Sequence, residues 1–152
     1  MRLSILGLAM LSSAILTPGA SAQTPPVVGR WLSQSGKGVI EIYPCADKLC
    51  GKLAWLSEPI RDGAPAVDRN NPDAALRHRP LCGLTMLGDF RQLEANRWGD
   101  GWIYSPENGK TYRATMTLDG NLLKLRGYIG IPLFGETQTW TRADPKLKGC
   151  EG

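Results

Sequence analysis

Arg126-Gly-Tyr-Ile-Gly-Ile-Pro-Leu-Phe-Gly-Glu-Thr-Gln-Thr-Trp-Thr-Arg142 is the stretch on which the reading of this chain turns. Two β-type runs flank a turn-rich elbow, one entering from Leu122–Tyr128 and one leaving through Glu136–Arg142. Pro132 cannot donate to a central ladder, and Gly127, Gly130 and Gly135 allow close backbone approach or positive φ. In the exit run Glu136, Gln138, Trp140 and Arg142 share one face, and Thr137, Thr139 and Thr141 share the other. Such a stretch reads as the closing hairpin of a small barrel.

Working back from it, six further β-patterned runs can be marked. Leu122–Tyr128 is reached from Thr111–Leu118 through Asp119-Gly120, and Thr111–Leu118 from Arg97–Tyr104 through Pro106-Glu107-Asn108-Gly109; both are hairpin turn signals. Earlier runs are Val28–Ser33, Val39–Tyr43 with Pro44 ending it, Leu49–Leu56, and Leu84–Leu93 with Gly88-Asp89 interrupting its alternation. Between the third and fourth lies a long loop, residues 57–81, rich in Pro, Asp and Arg. Within it Asn71-Pro72-Asp73-Ala74-Ala75-Leu76-Arg77 offers an N-cap, a Pro at the first helical position, an early acid and a late base, the signals of a helix of one or two turns. A loop of that length either serves function or is a plain connector.

Eight strands joined mostly by tight turns imply an all-β chain: an eight-stranded antiparallel up-and-down barrel with one short helix in the 57–81 loop. A two-sheet sandwich is the alternative, but sequential short hairpins favour the meander.

Residues 1–22 stand apart. Arg2, the apolar run Leu3–Leu16 and Ala20-Ser21-Ala22 have the form of a cleavable signal peptide, too short an apolar run for a stable membrane span. Residues 23–152 then make one exported domain with one core, periplasmic or secreted. The full chain carries a formal charge of +4, one of those positives being Arg2, and its basic residues are scattered. The densest cluster, Arg77-His78-Arg79, has no aromatic beside it, so no nucleic-acid footprint is read.

Four cysteines in an exported chain read first as disulfides. Of the three pairings, Cys45 with Cys50 would bridge a hairpin neck around Ala46-Asp47-Lys48-Leu49, leaving Cys82 with Cys150. By loop-closure entropy the short bridge contributes about 2 kcal/mol and the long one about 4 kcal/mol. A metal site from these cysteines and His78 lacks a second paired motif, so no metal and no cofactor is expected. His78, the one histidine, sits between two arginines, and Cys82 is assigned to a disulfide, so a Cys–His nucleophile pair is not expected either. Asp89, Glu94, Asp100, Glu107 and Asp119 are read in turns or near strand ends, where acids are normally solvated. The chain is read as a non-enzyme.

Gly83-Leu84-Thr85, Pro106-Glu107-Asn108-Gly109-Lys110-Thr111-Tyr112, Arg126-Gly127-Tyr128-Ile129-Gly130 and Thr137-Gln138-Thr139-Trp140 together resemble domain-of-unknown-function family 2147. The resemblance runs from about Gly29 to Arg142 and implies a small secreted bacterial protein without naming a reaction. A looser similarity is to the lipocalin-like (calycin) barrels. Gly29-Arg30-Trp31 resembles their Gly-x-Trp, and Arg142 resembles the arginine that covers that indole. In a closed meander first and last strands are neighbours, so the guanidinium can shut one barrel end. Trp31 reads equally as an ordinary core aromatic.

Taking the apolar parity of each strand as inward gives a lining of Leu84, Met86, Trp98, Trp102, Tyr112, Ala114, Met116, Leu123 and Leu125. Large, adaptable, mostly apolar groups suit a small apolar ligand better than a sugar or ion. Glu136 is expected at the rim in water, and Arg126 outside. Two functions follow: a carrier of a small apolar ligand, or a filled barrel acting through its surface or the 57–81 loop on an envelope partner, as an inhibitor or assembly factor. An open or a filled interior discriminates between them.

Overall fold

The computed structural model describes residues 23–150; the expected leader, residues 1–22, lies outside them. Ten strands occur in chain order: β1 Gly29–Leu32, β2 Gly38–Cys45, β3 Lys48–Leu56, β4 Ile60–Arg61, β5 Ala64–Pro65, β6 Thr85–Glu94, β7 Arg97–Ser105, β8 Lys110–Asp119, β9 Leu122–Tyr128 and β10 Glu136–Arg142. Eight of them close into an antiparallel barrel in the order β1-β10-β9-β8-β7-β6-β3-β2, and β4 with β5 forms a separate small hairpin inside the 57–81 loop. Closure rests on a short seam, Trp31 opposite Arg142 and Leu32 opposite Thr141.

The ladder between β8 and β9 runs without a register shift from Arg113–Tyr128 to Asp119–Leu122, and β9 with β10 is likewise regular. There the two-residue period holds. Ala114, Met116, Leu123, Leu125 and Trp140 are buried inward, while threonines and charges face out. Elsewhere bulges break the period. β7 carries one between Trp98 and Gly101, where Asp100 takes a φ of 57°, and β3 slips against β6 near Asp89, whose φ is 62°. Both aspartates occupy the left-handed region that Asp tolerates better than most residues.

Three expectations are corrected here. Pro44 does not end its strand but pairs with Leu49 inside β2. β1 reaches only as far as Ile42, so beyond it β2 has a free edge where a missing N–H costs no ladder bond. Asn71 does not cap a helix. The segment forms a single 3-10 turn, Ala74–Leu76, capped by Asp73, whose Oδ1 accepts from the Ala75 N–H at 2.9 Å. Trp102 does not face the interior. The bulge puts Trp98 and Gly101 inward opposite Met116 and Ala114, and sends Trp102 outward opposite Arg113. The Phe90 ring fills the space that a side chain on Gly101 would need.

Candidate functional site

The two barrel ends differ. One is closed by bulk: Trp31, Trp98, Phe90, Ile42, Met116 and Leu123 are fully buried. Trp31 donates its indole N–H to the Val27 carbonyl at 2.8 Å. The Arg142 guanidinium lies 3.8 Å from the centre of the Trp31 ring and donates to the Val28 and Pro26 carbonyls. Burial against the ring lowers its pKa from the ordinary arginine value. Gly29 is required for this packing, because its φ is 122° and a Cβ there would lie 2.9 Å from Arg142 Nη1.

At the other end the barrel opens among the β1–β2 turn, the 57–81 loop, the β7–β8 turn and the β9–β10 connection. The 57–81 loop is pinned there by a buried carboxylate. Asp68 is inaccessible to solvent and accepts from Tyr104 Oη at 2.7 Å, Asn71 Nδ2 at 2.8 Å and Arg79 Nε at 2.9 Å, with Arg79 Nη2 at 2.8 Å. Burial pushes the Asp68 carboxyl up, but the hydrogen bonds from Tyr104, Asn71 and Arg79 outweigh it and hold it below 3.8. Burial, then the bond to Asp68, push the Tyr104 phenol above 10.0. Asn70 Nδ2 donates to the Pro106 and Glu107 carbonyls, both at 3.0 Å. A Cβ on Gly109 would fall 1.9 Å from the Asn70 oxygen, so the loop seats on a turn that only glycine permits.

Pinned this way, the loop walls a cavity of about 220 Å³ in the open half. Ile40, Leu53, Met86, Ile103 and Trp140 come from the strands, and Val67 and Leu81 from the loop, while Arg61, Arg69, Lys37 and Glu107 stand at its entrance. A second, more polar space of about 270 Å³ adjoins it, sharing Ile103, Ser105, Glu107 and Gln138 and adding Tyr112, Leu125 and Glu136.

The candidate lining residues therefore separate. Met86, Tyr112 and Leu125 line the open half. Trp98, Met116 and Leu123 sit in the filled half and line neither space. Leu84, half-buried, precedes β6 and packs against the core from the strand end. Trp102 lies outside, donating its N–H to Asp89 Oδ2 at 3.0 Å. Lys48 pairs with Asp89 Oδ1 at 2.9 Å, and that bond first, with Trp102 second, lowers the Asp89 pKa. Glu136 is exposed at the rim. Arg126 is outside, donating to the Pro132 and Leu133 carbonyls and to Thr137 Oγ1. Cys45 is joined to Cys50, and Cys82 to Cys150. Sequence reasoning missed Ile40, Leu53, Arg61 and the Asp68 network; alternation in Val39–Tyr43 could have found Ile40, whereas Asp68 carries no local signal.

Among the described residues no helix is long and apolar enough to cross a membrane, and no cluster of metal-ligating side chains occurs. A solved structure, described as "Protein HP1028 from the human pathogen Helicobacter pylori belongs to the lipocalin family", matches with a TM-score of 0.71 at 22% identity, covering 81% of this chain and 86% of that one. At that identity the likeness is one of fold, and it makes the barrel lipocalin-like. No curated protein matches the chain. The family model "Uncharacterized protein conserved in bacteria (DUF2147)" matches residues 29–142, from the glycine that admits Arg142 to Arg142 itself, and the chain belongs to that family.

Proposed function

We propose that this protein is an exported binding protein, not an enzyme, that holds a small, largely apolar ligand in the open half of its barrel. The observation that carries the reading is the apolar-walled cavity of about 220 Å³ opening between the strands and a pinned loop. Its size falls between an engineered 150 Å³ cavity that accepts benzene and the pockets of drug-sized ligands. Export is supported by the two disulfides. Binding without chemistry is supported by His78, which is exposed and lines neither space. An environment-sensitive apolar dye should bind the folded protein saturably, and native mass spectrometry of protein taken from its own periplasm should find a co-purifying small mass. Met86→Trp, which fills the cavity from its wall, should weaken dye binding at least tenfold while leaving the β-type circular dichroism. A folded wild type that takes up no dye and carries no extra mass refutes the reading.

A second reading, contact with an envelope partner, is favoured by one surface feature. Ile129, Ile131, Leu133 and Phe134 are all exposed in the β9–β10 connection, Phe134 to 79%. Arg126 holds that connection in place through the Pro132 and Leu133 carbonyls. A contiguous apolar patch kept in a fixed shape is a feature of contact surfaces.

A further inference from the structure

The cavity entrance carries an arginine whose hydrogen-bonding capacity the protein leaves unused. Arg61 ends β4, and the turn behind it, with Asp62 at φ 52° and Gly63 at φ 76°, returns the chain to Ala64 so that a two-strand hairpin presents the side chain. Arg61 lines the 220 Å³ cavity, and its Nε is buried with no acceptor, alone in this among buried side-chain nitrogens and oxygens of the described residues. A buried donor without an acceptor costs free energy that a bound acceptor would restore. The other entrance groups are mostly engaged. Lys37 pairs with Glu107 at 3.6 Å, Asn70 is bonded to the β7–β8 turn, and Gln138 Oε1 accepts from Trp140 Nε1 at 2.9 Å. Lys37, Arg61 and Arg69 oppose the single carboxylate Glu107 around this cavity.

We infer that the ligand is an amphipathic carboxylate, its two oxygens on the Nε edge of Arg61 and its apolar part against Ile40, Leu53, Met86 and Trp140. This rests on the binding reading above and adds the head group. The Nε–Nη edge of a guanidinium presents two parallel N–H groups, which match a planar two-oxygen anion and are stronger when the acceptor is charged. Scaled from the 150 Å³ cavity that holds benzene, the space accepts roughly nine non-hydrogen atoms, room for the carbon skeleton of octanoate or 3-phenylpropanoate with the carboxylate oxygens outside it on Arg61.

The test uses the oxidised protein with octanoate, 3-phenylpropanoate, octan-1-ol and octyl phosphate as competitors for a bound apolar dye at neutral pH. Octanoate should displace the dye at least tenfold more effectively than octan-1-ol and than octyl phosphate. Arg61→Gln should bring octanoate down to the alcohol's level while the dye and the alcohol still bind saturably. Arg61→Lys, which keeps the charge but loses the two-donor edge, should fall between the two and guards against a folding defect in the first variant. Equal displacement by acid and alcohol in the wild type, preference for the phosphate, or an acid preference that survives Arg61→Gln in a folded protein overturns the inference but leaves the apolar cavity standing. Failure of the dye and every competitor to bind overturns both.

Discussion

Asp68→Ala should be the most damaging single substitution of a polar residue in the 57–81 loop. It removes the acceptor for Tyr104 Oη, Asn71 Nδ2 and Arg79 at once. The consequences differ among the three donors. Arg79 is 35% exposed and can turn to water, so its loss weighs less than that of a sealed cation. Asn71 Nδ2 also reaches Tyr104 Oη at 3.1 Å, so that pair keeps one bond between its members. What remains is a buried phenol proton and an amide hydrogen without a charged acceptor, together with a cavity the size of a carboxylate. At 1–3 kcal/mol for each unsatisfied buried group, and toward the low end of values for broken buried ion pairs, the sum is about 3 kcal/mol. For a domain of this size that corresponds to roughly 10–15 °C in Tm. Because the network ties the loop to β7, trypsin should cut after Arg69 or Arg77 faster in the variant than in the wild type. Asp73→Ala, which loses only an exposed cap bond, should cost about 1 kcal/mol or less. If the two variants melt together and are cut at the same rate, the buried network does not hold the loop and the wall of the cavity is not fixed by it.

Three further outcomes are expected. Since the Asp68 carboxyl is held below 3.8, its contribution is complete above that value and is lost as pH falls through the folded-state pKa, so the stability gap between wild type and Asp68→Asn should close in acid denaturation series carried below pH 3.8. Arg142→Ala, which uncovers Trp31 and frees two backbone carbonyls, should lower stability by about 1–2 kcal/mol in urea titration, against no measurable change for the exposed Arg91→Ala. Removing the Cys82–Cys150 bridge, which spans 68 residues, should cost about 4 kcal/mol against about 2 kcal/mol for Cys45–Cys50, which spans five, read as the larger fall in Tm for Cys82→Ser with Cys150→Ser.

How far alternation could be trusted depended on the ladder. On β8, β9 and β10 no residue is inserted, so the inward set Tyr112, Ala114, Met116, Leu123, Leu125 and Trp140 could be read directly from odd and even positions. β6 and β7 defeated the same rule at Gly88-Asp89 and at Gly99-Asp100-Gly101. Such Gly-Asp and Asp-Gly pairs are also the signals of hairpin turns, and nothing local distinguishes a turn from a bulge in mid-strand. Once a bulge is present every residue beyond it changes face, and that moved Trp102 out and brought Leu87, on the parity read as outward, into the core. The loop was illegible for another reason. Asp68 meets Tyr104 across 36 residues and Asn70 meets Glu107 across 37. Such partners are set by how the barrel closes, and the run Asp68-Arg69-Asn70-Asn71 looks like any solvated connector.

The cavity itself follows from where the small residues fall. Trp31, Trp98 and Phe90 face inward toward the end that Arg142 covers, and together they consume the barrel interior there. Toward the other end inward positions go to Gly38 and Gly127, whose absent side chains would otherwise meet Leu53 and Tyr112. A barrel of eight strands has an interior that side chains just fill when each position is large, so a deficit of side-chain volume at one end must appear as space at that end. The 57–81 loop could close that space with apolar groups, but it sends Arg61 to the entrance and fixes its own position through its Asp68 carboxylate, which accepts from Tyr104 on the adjoining strand. Filled core and open site are thus two ends of one meander. What separates them is the order in which large and small residues occupy its inward positions.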